Sequence, residues 1–184
     1  MLYRVFDAAY PPPVAPPGCA GVLGYIGGSR AAHVWPGSAW LPFRGLKQFP
    51  CWVPALTDDA REAGLFACRA ARALGWAPGP KVGPRVIVCD LETDTSRAWY
   101  ALWAAAVSGG GFVPVAYGSL STVLGNAASD VWAAAWDGEQ VIPPGQTIHG
   151  HQDQADVAFA GTRVDYSVVD VWLYERGGVG PRHV

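Results

Sequence analysis

The sequence predicts an α/β protein, an abbreviated (β/α)8 barrel of the TIM type in which some outer helices are short or missing. Short apolar segments alternate with helical patterns along the chain, which is typical of βα units around a parallel sheet. Eight such segments can be counted, a number that suits a closed barrel. A full barrel takes about 250 residues, and this chain has 184. Some outer helices must therefore be replaced by loops.

Several of the predicted strands are continuous apolar runs, as expected of strands that are covered on both faces. The others alternate less regularly but are bounded by glycine, proline or polar clusters. The eight strands are predicted over residues 3–7, 21–26, 51–56, 85–90, 112–117, 131–136, 147–152 and 163–169.

The clearest helix is predicted over residues 58–74. Thr57 is its expected N-cap, acidic residues follow in the first turn, and Gly75 marks its end. Weaker patterns predict helices over 96–107 and 120–128. The face of the first helix that packs on the sheet is predicted from apolar residues at helical spacing, namely Ala63, Phe66, Ala67, Ala70 and Leu74.

Composition and length describe one globular domain. The chain is 51% hydrophobic and 15% charged, unlike disordered chains, which are poorer in apolar residues. It shows no repeat and no linker, so we assign residues 1–176 to a single domain and 177–184 to a frayed tail. Residues 11–17 and 27–48 are predicted to be loops.

Charge and cysteine usage exclude several classes of partner. A formal net charge of −2 without a basic stripe argues against nucleic-acid binding. No apolar run reaches the roughly 18 residues that cross a bilayer, so no membrane is predicted as partner. The N-terminus lacks the pattern of a Sec signal peptide, which predicts synthesis in the cytoplasm. The cysteines form no Cys-x-x-Cys pair and are expected to be buried thiols: Cys19, Cys51, Cys68 and Cys89.

The strongest chemical signal is a pair of carboxylates, Asp90 and Glu92, at the end of a predicted strand. Strand side chains alternate, so both should project from one face at the carboxyl end, where barrels keep their active sites. Two close acids repel each other when ionised, which leaves a proton donor beside a carboxylate. Glycoside hydrolysis needs that combination. Alternatively, one acid caps the next helix and the other is solvated.

Two further acids are expected at the same mouth. Asp7 ends the first predicted strand and Asp165 lies in the last, and these strands are neighbours in a closed barrel. Aromatic residues near the strand ends could form flat platforms for sugar rings, although each could equally be a core residue. The candidate substrate-binding residues are Tyr25, Trp52, Tyr117 and Trp136, together with the inward-pointing Gln152.

A metal site is conceivable at His149, His151 and Asp153, which share one face of the seventh predicted strand. The two histidines could equally be packing groups on the outside of the sheet, and we predict no metal. The sequence contains no phosphate-binding loop, no nucleophile elbow and no H-E-x-x-H motif, so no cofactor is predicted.

The ordered set of segments resembles the glycoside hydrolase family 25 lysozymes and the related glycoside-hydrolase-like domains of actinobacteria and their phages. The resemblance extends over nearly the whole chain. The segments that carry it are Phe6-Asp7, Ala63 to Trp76 followed by Pro78-Gly79, Asp90-Leu91-Glu92, Ala116-Tyr117-Gly118, Trp132 to Trp136, His151-Gln152 and Val164-Asp165.

The resemblance implies a role for each acid. Glu92 corresponds to the proton donor, and Asp90 to the residue that orients or stabilises the reacting sugar. Asp7 and Asp165 correspond to the other acids of that pocket. The family cleaves the β-1,4 bond between N-acetylmuramic acid and N-acetylglucosamine, so the expected partner is peptidoglycan or another cell-wall polysaccharide.

Two functions follow as expectations. The first is a cell-wall glycan hydrolase of the muramidase type. The alternative is a minor tail protein of a phage that binds wall glycan with a weak or inactive glycosidase fold and contacts other tail proteins. The protein is accordingly expected in a phage tail or released to the cell wall. A metal-dependent hydrolase that uses the acids as ligands of a hard cation is a third, weaker idea.

Overall fold

The computed structural model describes residues 1–29, 33–55, 57–78, 85–91, 95–126, 130–140, 142 and 147–179. Within these residues eight strands form a closed barrel, which confirms the predicted fold class. The strands are β1 (Leu2–Asp7), β2 (Gly21–Gly28), β3 (Lys47–Val53), β4 (Val86–Asp90), β5 (Val113–Ser119), β6 (Val131–Ala134), β7 (Ile148–Phe159) and β8 (Thr162–Asp170). The helices are α1 (Ala60–Ala73), α2 (Arg97–Gly109), α3 (Leu120–Asn126) and α4 (Val171–Arg176).

The barrel is parallel from β1 to β7 and is closed by an antiparallel strand, β8, between β7 and β1. The reason is the connection after β7, where Ala160 and Gly161 both have positive φ, at 47° and 82°. Such a two-residue turn makes a hairpin, whereas a parallel strand needs a crossover of a dozen or more residues. The beginning of β8 therefore lies beside the carboxyl ends of β1 and β7.

Side chains that point into the barrel form an inner core, in which Trp132 is the largest. Its indole Nε1 donates to Ser167 Oγ at 3.1 Å. Gly150 leaves the room for the indole ring, because a Cβ at this position would lie 2.7 Å from Trp132 Cγ. The remaining inner core consists mainly of Val5, Leu23, Phe49, Cys51, Val53, Val86, Val88, Val115 and Val169.

The helix α1 begins two residues later than predicted. Its N-cap is Asp59 rather than Thr57, and Asp59 Oδ1 accepts from Glu62 N at 2.9 Å. The predicted buried face is confirmed at Ala63 and Ala67, but Phe66, which was predicted to belong to it, is 53% exposed. Small residues form the buried face because α1 packs closely against α2. The buried residues are Ala60, Ala63, Gly64, Ala67, Cys68 and Ala71.

Two short elements of regular structure lie in segments that were predicted to be a loop or a frayed tail. A 3₁₀ helix, Gly37–Phe43, lies inside the segment predicted as loop and buries Trp40 and Phe43. Gly178–Val179 form a short strand, β9, antiparallel to β3, so pairing extends into the segment that we expected to fray. Residues 180–184 lie outside the described residues.

The four cysteines are free thiols, and Cys51, Cys68 and Cys89 are buried as predicted, while Cys19 is half-buried. Burial raises the pKa of Cys19 to about 11 and raises the pKa of Cys68 and Cys89. Among the described helices, none has both the length and the apolar character that crossing a membrane requires.

Candidate active site

The acids at the barrel mouth belong to the inner face of their strands. In β4, Val86 and Val88 point into the barrel, and the alternation continues to Asp90. In β1, the same alternation from Val5 leads to Asp7. Only 4% of Asp7 and 1% of Asp90 is exposed. Both acids therefore face the interior where their strands end.

Asp7 and Asp165 come together as cross-strand partners. Their Cα atoms are directly paired in the antiparallel register of β1 and β8, which places Cβ atoms about 4.5–5.5 Å apart. Gln152 on β7 joins them, because its Nε2 donates to Asp165 Oδ2 at 2.8 Å and, in a long contact, to Asp7 Oδ2 at 3.5 Å. The structure thus brings together Asp7, Asp165 and Gln152 as the sequence predicted.

A β-bulge supplies a second donor to Asp165. The register of β7 against β8 shifts between Gln154 and Val157, and Asp156 in this bulge has a φ of 60°. Its backbone N–H donates to Asp165 Oδ1 at 2.6 Å. Each oxygen of the Asp165 carboxyl group therefore accepts a hydrogen bond, which fixes the orientation of the group.

Tyr117 occupies the centre of the acidic group. Its Cα is paired with that of Asp90, and its ring meets Trp132 edge to face, with centroids 5.9 Å apart and an interplanar angle of 90°. Burial raises the pKa of Tyr117 well above its ordinary value, and the charges of Asp7 and Asp90 raise it further, followed by those of Tyr25 and Asp165. The phenol is therefore a protonated hydrogen-bond donor among carboxylates.

Trp136 forms an exposed aromatic wall at the mouth. It follows β6 with a φ of 52°, and it is 62% exposed. Its indole Nε1 donates to Gln152 Oε1 at 2.9 Å, which ties the ring to the amide that bridges the two acids. Because the ring is held at one edge and free on its face, it can stack against a sugar.

Two cavities open on either side of Asp165. The first has a volume of about 300 Å³ and is lined by Tyr117, Gly118, Ser119, Thr122, Ala134, Trp136, Gln152 and Asp165. The second has a volume of about 280 Å³ and is lined by Asp7, Ala8, Ala9, Tyr25, Ala155, Asp156, Arg163 and Asp165. Asp165 therefore lies between two compartments, one with an aromatic wall and one with a basic residue, and Asp7 lines the second of them.

One predicted site residue, Trp52, lies apart from this arrangement. It is on the outer face of β3, since Cys51 and Val53 point inward. It packs towards α1, beside a separate cavity that includes Phe66, and its binding of substrate stays a prediction. Glu92 lies outside the described residues, so its predicted role stays a prediction.

The two histidines of β7 lie on its outer side, each paired with aspartate. His149 Nδ1 is 2.8 Å from Asp170 and its Nε2 is 3.1 Å from Asp130. His151 Nε2 is 3.0 Å from Asp137. In the described part of the chain, no group of three or more His, Cys, Asp and Glu is arranged to hold a metal ion.

The structure adds polar residues that the sequence reasoning missed. Ser119 and Thr122 line the first cavity, and Asp156 and Arg163 line the second. The spacing of Arg163, two residues before Asp165 on one strand, was a usable signal because strand side chains alternate. Asp156 had no such signal, because its position depends on the bulge.

No family model matches the chain, and none of the curated proteins does. Solved structures do match. An uncharacterized B. stearothermophilus protein aligns with a TM-score of 0.71 and 18% identity, over 96% of this chain and 100% of that one. A muramidase from Acremonium alcalophilum aligns at 0.64 and 11%, over 94% and 97%. GHIP, a glycosyl hydrolase 25 of Streptococcus pneumoniae, aligns at 0.63 and 10%, over 97% and 94%. At these identities the likeness establishes the architecture, and the chain therefore has the barrel fold of lysozyme-like glycoside hydrolases.

Proposed function

We propose that the protein hydrolyses the glycan strands of the bacterial cell wall. The observation that carries this proposal is the meeting of Asp7 and Asp165, joined by Gln152, at a barrel mouth where Asp165 lines two open cavities and Asp90 is paired with Tyr117. The names of two structural neighbours, a muramidase and a glycosyl hydrolase 25, support the same class of substrate.

The carboxylates suit the charge that develops during glycoside cleavage. The transition state resembles an oxocarbenium ion, so negative side chains that face the sugar lower its energy. Asp165 is suited to this role because Gln152 and the Asp156 backbone N–H hold its carboxylate group in place. Asp90 is buried beside Tyr117, whose protonated phenol adds a donor for a sugar oxygen.

Hydrolysis also requires a proton for the departing sugar oxygen. We assign this proton to Glu92, which follows Asp90 by two residues and corresponds to the proton donor of the family that the sequence resembles. The leaving oxygen keeps the proton from Glu92. Water then attacks the anomeric carbon, its oxygen stays there as the hydroxyl group, and its other proton passes to the Glu92 carboxylate, which restores the acid.

The two cavities suit an extended substrate rather than a single sugar. Asp165 belongs to both, so a chain bound along them passes the acids between two of its rings. Trp136 offers an exposed ring face in the first cavity, and Tyr25 lines the second. Both are residues that we predict to bind substrate.

The test is release of reducing ends from purified peptidoglycan by the wild type, Glu92→Gln and Asp90→Asn. Loss of a general acid lowers the rate by about 10²- to 10⁴-fold, and we expect a loss of this size for Glu92→Gln. The matched control is Glu175→Gln, an exposed residue of α4. It makes the same chemical change at the other end of the barrel, because α4 follows Asp170, which is paired with Leu2 at the start of β1, and it should leave the rate unchanged.

Full activity of Glu92→Gln would contradict the assignment of the acid. If the wild type releases no reducing ends but sediments with the wall material, the protein is a glycan-binding component without hydrolytic activity. A tail-mounted adhesive protein is one example of such a component. Undiminished rates in excess chelator would dismiss a metal-dependent mechanism.

A further inference from the structure

We infer that the second cavity recognises a carboxylate on the substrate and that Arg163 is the residue that binds it. This inference rests on the proposed function for its substrate, but it concerns specificity rather than cleavage. Among the described residues that line the cavity of about 280 Å³ beside Asp7 and Asp165, Arg163 is the sole cation.

The position of Arg163 follows from the pairing of β7 and β8. Arg163 and Asp165 are two residues apart on β8 and lie on the same side of the strand. The Arg163 Nη1 atom donates to the backbone oxygen of Asp156 at 2.7 Å and to its Oδ2 at 3.1 Å. The bulge that brings the Asp156 N–H to Asp165 thus also holds the guanidinium at the cavity.

In this position the guanidinium of Arg163 still has N–H donors for a ligand. Its described contacts use Nη1 alone, so Nε and Nη2 are available to the planar, two-point contact that arginine makes with carboxylates. The side chains of Arg163 and Asp156 are 64% and 74% exposed, and an ion pair this exposed is weak. A substrate carboxylate can therefore share Arg163 with Asp156 or displace it.

The guanidinium and the surrounding charges limit the class of ligand. Asp7, Asp156 and Asp165 line the same cavity and repel any anion, so an anionic group binds only at the exposed rim, where Arg163 lies. The planar guanidinium fits a carboxylate there by a two-point contact, and the proposed substrate is a glycan. The ligand is therefore a glycan that carries a carboxylate, either on the sugar itself or on a peptide attached to it.

The experiment compares three glycans of equal length that differ in their carboxylates. One alternates N-acetylglucosamine with N-acetylmuramic acid and has a free lactyl carboxylate. A second has the lactyl group joined to a peptide, so that its carboxylates lie on the peptide. The third is a chitin oligosaccharide without a carboxylate. Hydrolysis and direct binding by calorimetry are measured for the wild type, Arg163→Gln and Arg163→Lys.

Arg163→Gln should lower kcat/KM about 10- to 100-fold on one carboxylate-bearing glycan, mainly through KM, and leave the chitin oligosaccharide unaffected. The glycan that loses more identifies the source of the carboxylate. Arg163→Lys should recover part of the loss, because it keeps the charge without the planar fork. Arg69→Gln is the control, since it removes the same charge from an exposed site on α1.

The outcomes separate this inference from the proposed function. If Arg163→Gln leaves hydrolysis unchanged, or lowers it equally on all three glycans, the role of Arg163 is overturned but the proposed hydrolysis is not. Binding of a carboxylate-bearing glycan that depends on Arg163, without hydrolysis of any glycan, supports the carboxylate site and contradicts the proposed activity. Absence of both binding and hydrolysis overturns both.

Discussion

Replacement of Gln152 by methionine tests whether the hydrogen bonds at the barrel mouth hold the acids in place. Gln152 is 1% exposed, and its amide contacts Asp165, Asp7 and Trp136. Methionine has a similar length and volume but lacks both polar atoms, so the substitution removes the contacts without opening a large cavity.

The expected cost can be worked from the three contacts. The 2.8 Å bond to Asp165 is buried and charge-assisted, and such a bond contributes about 1.5–3 kcal/mol. The bond from Trp136 adds the low end of the neutral range, about 0.5 kcal/mol, because water can replace it at an exposed indole. The 3.5 Å contact to Asp7 is too long to add much. We therefore expect the free energy of unfolding to fall by about 2–3.5 kcal/mol.

Urea denaturation of Gln152→Met, Asp165→Asn and the double variant measures this energy. The two side chains touch, so their effects should be non-additive, with a coupling energy of about 1–2 kcal/mol. On peptidoglycan, Gln152→Met should lower kcat more than it raises KM, because Gln152 acts through the acids that it positions. A loss of stability below about 0.5 kcal/mol, or additive single effects, would refute the reasoning.

Three more predictions follow from the same packing and charges. Gly150→Ala should lower the free energy of unfolding by about 1–3 kcal/mol, because its Cβ would meet the Trp132 ring; an unchanged urea midpoint would contradict this. Trp136→Ala should raise KM for glycan about two- to tenfold and barely change stability, with Trp136→Phe restoring most of the affinity. Burial raises the pKa of Asp153, so the folded protein holds this proton more tightly than the unfolded chain and stability falls as pH rises from the ordinary pKa through the raised one. The difference in free energy of unfolding between Asp153→Asn and the wild type should therefore favour the variant more at pH 7 than near pH 4, as measured by denaturant titration. A difference that does not change with pH would contradict this.

Sequence periodicity was sufficient for the barrel because burial on both faces leaves a strong local signal in each strand. All eight strands lie where the apolar runs predicted them, although β3 begins four residues earlier and β7 extends well beyond its prediction. Alternation along β4 also places Asp90 with Val86 and Val88 on the inner face. Nearness to a strand end was not enough to place Trp52 with the acids, because its position next to Cys51 on the strand turns it towards the helices.

The sequence by itself determined which residue types end the parallel strands, and therefore that Asp7, Asp90 and Gln152 would gather at one mouth. Only the tertiary structure decided that Asp165, near the start of β8, joins them and how these residues pair. The antiparallel closure by β8 sets Asp7 opposite Asp165, and the bulge at Asp156 directs one N–H to Asp165 and holds Arg163 at the second cavity. The physical reason is that periodicity is a local property of the chain, whereas register, bulges and hairpin closure depend on contacts between residues far apart in sequence.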